Sequence, residues 1–107
     1  MAHWLVPAII SLATAVAAAD GSPSAPRQSE LRYLLTQDCG SCHGLTLQGG
    51  LGPALTPDAL AGKPVELLQA TILYGRTGTA MPPWRAFISE AESLWLAERL
   101  LLGEASQ

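Results

Sequence analysis

In Cys39-Gly40-Ser41-Cys42-His43, residue type and spacing together point to chemistry. Two thiols lie three residues apart, and an imidazole follows the second. On a helical turn, positions i, i+3 and i+4 share one face. Cys39 and Cys42 can then reach two vinyl groups on one porphyrin edge and add across them as thioethers. His43 turns under the ring to the iron. This is the attachment pattern of c-type haem.

Other uses of these residues fit less well. A thioredoxin-like redox couple also uses Cys-x-x-Cys, but on an α/β fold, which the composition opposes. A structural zinc needs four ligands. Beyond residue 19 the chain offers two Cys and one His. A disulfide between Cys39 and Cys42 is open only to the haem-free chain.

Elimination points to the ligand on the other side of the iron. Beyond residue 19, Met81 is the only thioether. It lies in Gly78-Thr79-Ala80-Met81-Pro82-Pro83, where the prolines limit the loop's freedom and would hold a side chain against an open haem face. The alternatives are a Met that only fills the core, another ligand, or an open position. His/Met ligation raises the reduction potential and leaves no vacant site for oxygen or peroxide. It favours electron transfer over catalysis, so no catalytic residue is assigned. A peroxidase would need Met81 to leave the iron.

Residues Met1 to Ala19 carry no Asp, Glu, Lys or Arg and end in Ala17-Ala18-Ala19. An apolar run followed by small residues reads as a secretory leader, cut before Asp20 or after Ala17. The absence of Lys and Arg from its start fits this poorly, and a retained membrane anchor is the alternative. Export would place the protein in the periplasm. The leader holds no formal charge, so the remainder keeps the net −3 of the 107-residue chain. That balance argues against nucleic acid as a partner. A domain this small buries little apolar surface and needs a staple, which a haem would provide.

Residues 20–28 are rich in Pro, Ser and Gly and read as a flexible lead-in. After them, Val65, Ile72 and Ile88 are the only β-branched aliphatics, and no run alternates for long. The domain therefore reads as all-α. A first helix is expected from about Ser29 to Asp38, with Leu31, Leu34 and Leu35 on one face. A short second one has Thr56 as N-cap, Pro57 at N1 and Gly62 at its end. A third runs from Pro64 to Gly75 with Val65, Leu68 and Ile72 inward. The fourth opens on a Ser89/Glu92 capping box and ends at Gly103, with Ala91, Leu94, Trp95 and Leu101 apolar. Residues 104–107 read as a tail.

Arg76 and Trp84 flank the Met81 loop. Each could reach a haem propionate, by charge or by indole N–H. The plainer readings are a solvated arginine and a tryptophan that packs the loop. Lys63 and the acids Glu90, Glu92 and Glu98 read as solvated surface.

The runs Cys39–Gly44, Gly52–Leu55 and Ala80–Trp84, followed by an amphipathic C-terminal helix, resemble class I cytochrome c across residues 29–103. The resemblance implies about four helices wrapped around one covalently bound haem c. It implies that Pro53 offers its carbonyl to the proximal His43, and that Met81 is the distal ligand. It implies that the first and last helices cross near the haem edge. The runs 38–68, 74–84 and 94–101 are further similar to NirC-type cytochromes of denitrifying bacteria. That similarity implies one of two tasks: giving electrons to the haem-d-containing nitrite reductase, or serving the maturation of its haem d.

Overall fold

The computed structural model describes residues 1–12 and 21–105. The expected leader cut, between Ala17 and Asp20, lies outside them. Residues 1–12 carry no regular secondary structure, and no helix among the described residues is long and apolar enough to cross a membrane.

Helix α1 spans Ala25–Leu34. The Ser24 hydroxyl caps it by accepting from Arg27 N at 3.4 Å. Pro26 sits in the first turn, where its missing N–H leaves no bond unmade. This corrects the flexible lead-in of residues 20–28, because residues 25–28 are already helical. Ser and Pro punctuate a chain, but in this order they also start a helix.

The helix does not stop at Asp38. It widens into a π turn over Leu35–Cys39, where Gly40 N–H reaches back to Leu35 O, and continues as α2, Gly40–His43. One extra residue in a turn rotates everything after it by about 100°. Two hydroxyls take up carbonyls around this shift: Thr36 donates to Arg32 O at 3.0 Å, and Ser41 to Asp38 O at 2.8 Å. The Cys-x-x-Cys-His segment is thus the rigid end of a long helix.

Helix α3, Pro57–Leu60, is capped by Thr56, which accepts from Ala59 N at 3.3 Å. Helix α4 spans Val65–Tyr74, with Pro64 as its N-cap residue. Helix α5, Glu90–Leu102, opens on the reciprocal box: Ser89 N donates to Glu92 Oε1 at 2.9 Å, and Glu92 N to Ser89 Oγ at 3.1 Å. It closes on left-handed Gly103. No strand occurs among the described residues.

Helix α5 packs against both α4 and α3. The core joins Leu31 and Leu35 to Leu47, Leu60, Leu73, Ile88, Trp95, Leu96 and Leu100. Two expected faces shift. Leu73 is the buried residue of α4, while Val65, Leu68 and Ile72 are half-buried. On α5, Trp95 is buried as expected, but Ala91 is exposed, Leu94 and Leu101 are half-buried, and Ser93, Leu96, Ala97 and Leu100 complete the buried face. A helix touching two neighbours buries a wider stripe than one apolar row. Ser93 is tolerated there because its hydroxyl donates to Glu90 O at 2.7 Å.

Polar contacts tie the chain ends together. Arg27 of α1 pairs with Glu92 of α5, with Glu30 at 2.8 Å, and with Phe87 O at 3.1 Å. The guanidinium groups of Arg32 and Arg99 each lie over the Trp95 ring, at 5.2 and 5.3 Å from its centroid. The expected tail begins as part of the fold, since Ala105 is buried and Glu104 N donates to Arg99 O at 2.9 Å.

Candidate haem site

Cys39 closes the π turn, and Cys42 and His43 end α2. Both thiols are free and half-buried. Burial pushes the Cys39 thiol up to about 11, and the Asp38 carboxylate beside it adds to the rise. The Cys39 thiol is therefore protonated in the folded chain at pH 7.

The last carbonyls of α2 have no partners within so short a helix. The following loop supplies them: Gly52 N donates to Cys42 O at 2.7 Å, and Gly49 N to His43 O at 2.8 Å. This folds the loop back under the imidazole. His43 Nδ1 then lies 2.7 Å from Pro53 O. A carbonyl can only accept, so Nδ1 carries the proton, and in the neutral ring Nε2 is left with its lone pair. Gly52 permits the approach, because a Cβ there would fall 2.8 Å from Cε1 and Nδ1 of His43.

Met81 is half-buried in a loop crossed against the end of α4. Three backbone bonds make the crossing: Trp84 N to Ile72 O at 3.0 Å, Arg85 N to Leu73 O at 3.2 Å, and Arg76 N to Met81 O at 3.1 Å. Within the loop, Thr79 Oγ1 donates to Arg76 O at 2.7 Å and accepts from Met81 N at 3.3 Å. A Cβ at Gly75 would stand 2.6 Å from Met81 O, so only glycine allows this contact. Trp84 is half-buried, packs against the core and meets the Phe87 ring at 5.9 Å. The Arg76 side chain is exposed and in no ion pair among the described residues.

The fold thus brings Cys39, Cys42, His43 and Pro53 into one unit and Arg76, Met81 and Trp84 into another. The units meet through the core, on which Cys39, Leu55 and Trp84 all pack. Gly52 and Gly75 were not singled out by residue type. Their only signal was position: one precedes the Pro53 carbonyl and the other ends α4.

The polypeptide fits a haem. It presents two unpaired thiols three apart, an imidazole whose Nε2 lone pair is free, a thioether in a pinned loop, and half-buried apolar side chains at Leu34, Leu55, Leu68, Ile72 and Leu101.

Known proteins agree. The family described as cytochrome c oxidase, cbb3-type, subunit III matches residues 26–98. A cytochrome c55X of Pseudomonas aeruginosa is 56% identical over 103 residues, covering 96% of this chain and 87% of that protein. One of Paracoccus denitrificans is 50% identical over 104 residues, covering 97% and 98%. The solved structure of a c-type cytochrome NirC superposes with a TM-score of 0.77 at 60% identity, over 79% of this chain and all of that one. Dihydro-heme d1 dehydrogenase NirN, solved in complex with DHE, matches with a TM-score of 0.56 at 29% identity, over 70% of this chain but 15% of that one. The chain belongs to the cytochrome c family, as a haem-binding electron carrier of the NirC type and not an enzyme.

Proposed function

We propose that this chain carries single electrons in the periplasm on one haem c, held by thioethers at Cys39 and Cys42 with His43 and Met81 as axial ligands. The bound haem supplies an iron that takes up and returns one electron. The chain's residues set the conditions. The observation that carries the reading is the His43 Nδ1 bond to Pro53 O at 2.7 Å. It holds the ring in one orientation and one tautomer, as a ligand to iron requires. The crossed loop limits how far Met81 can move. A ligand set held in place needs little rearrangement per electron.

The partner we propose is the haem-d-containing nitrite reductase of denitrification. Likeness to cytochromes c55X and to NirC supports this. Rapid mixing of the reduced protein with that reductase should oxidise it on the turnover timescale. Oxidation slower than turnover would remove the reductase as the recipient.

One observation favours a second reading. Part of NirN, a dihydro-heme d1 dehydrogenase by its title, shares this fold at 29% identity. The chain would then accept electrons released in haem d maturation. A dehydrogenation yields two electrons, so a carrier with one haem would dock twice per product. Reduction of the oxidised protein by that dehydrogenase and its substrate would distinguish this reading from the first.

A further inference from the structure

Residues 103–105 follow the last helix but are not a loose end. Gly103 turns the backbone at φ 72°, and a Cβ there would fall 3.1 Å from Cγ of Pro57. Glu104 is then held by two helices. Its N–H donates to Arg99 O at 2.9 Å, its carbonyl accepts from the Arg32 guanidinium, and its carboxylate stands 3.4 Å from the buried Nε of Arg99. Ala105 enters the core and is 4% exposed.

This segment faces the loop that follows His43. Leu100, Gly103 and Ala105 line one cavity of about 70 Å³ together with Leu47 and Leu55. Leu47 is buried and has φ 61°, the only positive φ outside glycine among the described residues. A residue with a side chain keeps such a backbone only where its surroundings over-determine it. Leu47 also closes the loop: its N–H donates to Gly44 O at 2.8 Å, and its carbonyl accepts from Leu55 N at 2.8 Å. Pro53, whose carbonyl meets His43 Nδ1, lies just before Leu55. Packed side chains and backbone bonds thus connect Ala105, through Leu47, to the Pro53 carbonyl.

We infer that residues 103–105 form a strap that positions the Pro53 carbonyl against His43 and thereby helps set the reduction potential. The inference rests on the electron-carrier reading of the haem site. Glu104 and Ala105 are positioning residues that act on His43 through Leu47. With the strap in place, Leu47 keeps its left-handed turn and the 44–55 loop stays closed. Without it, Leu47 relaxes, the loop opens more often and the Nδ1 bond weakens. A His ligand with a weaker Nδ1 bond is a poorer donor to the metal, so the potential rises.

The test compares the holoprotein with a version that ends at Gly103. Spectroelectrochemical titration gives the potential, and NMR of the reduced form gives the exchange rate of the His43 Nδ1 proton. The expected result is a potential shifted upward and exchange faster by about 10-fold, as local opening becomes easier. The near-infrared Met–iron(III) charge-transfer band of the oxidised form should remain. Arg27→Gln is the control. It removes the ion pair with Glu92, so it should lower the melting temperature but leave the potential and the exchange rate unchanged. If the shortened chain does not hold haem, Ala105→Gly, which removes only the buried methyl, should move both readouts the same way by less. Readouts unmoved by the strap variants, or moved equally by Arg27→Gln, overturn the strap and leave the carrier reading standing. Loss of the charge-transfer band in the shortened protein places the effect on Met81 and also overturns it. A parent protein without a reversible one-electron couple overturns the carrier reading instead.

Discussion

A methyl group at position 52 would occupy space already held by His43, at 2.8 Å from two ring atoms. Gly52→Ala is therefore expected to push the imidazole off Pro53 O. The cost should be about 1–3 kcal/mol, typical of an added methyl in a packed site, and thermal unfolding measures it. A weakened Nδ1 bond also makes His43 a poorer electron donor, so the reduction potential should rise. Destabilisation without a potential shift would mean that Gly52 serves packing only. Met81→Ala should act in the opposite direction. It removes the ligand that raises the potential, so the potential should fall and the near-infrared Met–iron(III) charge-transfer band should vanish. A band that survives would assign the sixth position to another group. The Cys39–His43 motif was legible because its spacing is its mechanism. The roles of Gly52 and Gly75 were not, because they consist of side chains that are absent next to a particular ring and a particular carbonyl.

At the scale of elements, α1 and α5 are joined where Arg27 reaches the Glu92 of the capping box. The hydrogen bond from Arg27 holds the Glu92 carboxyl below its ordinary value of 4.5, and the Ser89 backbone N–H adds to this. The folded value lies below the unfolded one, so the unfolded chain takes up the proton first as pH falls. The stabilisation is full above about pH 4.5 and is lost as pH drops through the folded value. Glu92→Gln should lower the melting temperature by a few degrees at pH 7, with the gap to the parent closing as pH falls through the folded value of Glu92. A gap independent of pH would show that the charge is immaterial. The box itself could be read from Ser89 and Glu92, three residues apart. Its third member could not, because Arg27 lies 65 positions away. The start of α1 was misread for a local reason. Ser24, Ala25 and Pro26 suit a loop and a helix N-terminus equally, and the contacts of Arg27 with α5 favour the helix. The π turn at Leu35–Cys39 has no compositional mark at all.

For the whole molecule, the described core is small and several apolar side chains packed against it are half-buried. Leu34, Leu55, Leu68, Ile72, Trp84 and Leu101 are the side chains a haem would finish covering. A double Cys39→Ala, Cys42→Ala variant, unable to hold haem covalently, should lose its cooperative melt. Its helical circular-dichroism signal should fall by roughly half, because the remaining core is too small to offset the entropy of ordering the chain. A sharp, parent-like melt in the haem-free variant would show that the polypeptide needs no staple.

The amino-acid order alone determined the chemistry and the class of fold. Two thiols and an imidazole at helical spacing, one Met beyond residue 19, and a near-absence of β-branched aliphatics need no distant contact to be understood. The tertiary structure decided what holds those groups. It placed the Pro53 carbonyl against Nδ1, carried the Cys39–His43 turn on one unbroken helix, and crossed residues 72–76 with 81–85. The first and last of these depend on a close approach or a backbone bond between residues separated in the chain. Local spacing does not encode such contacts.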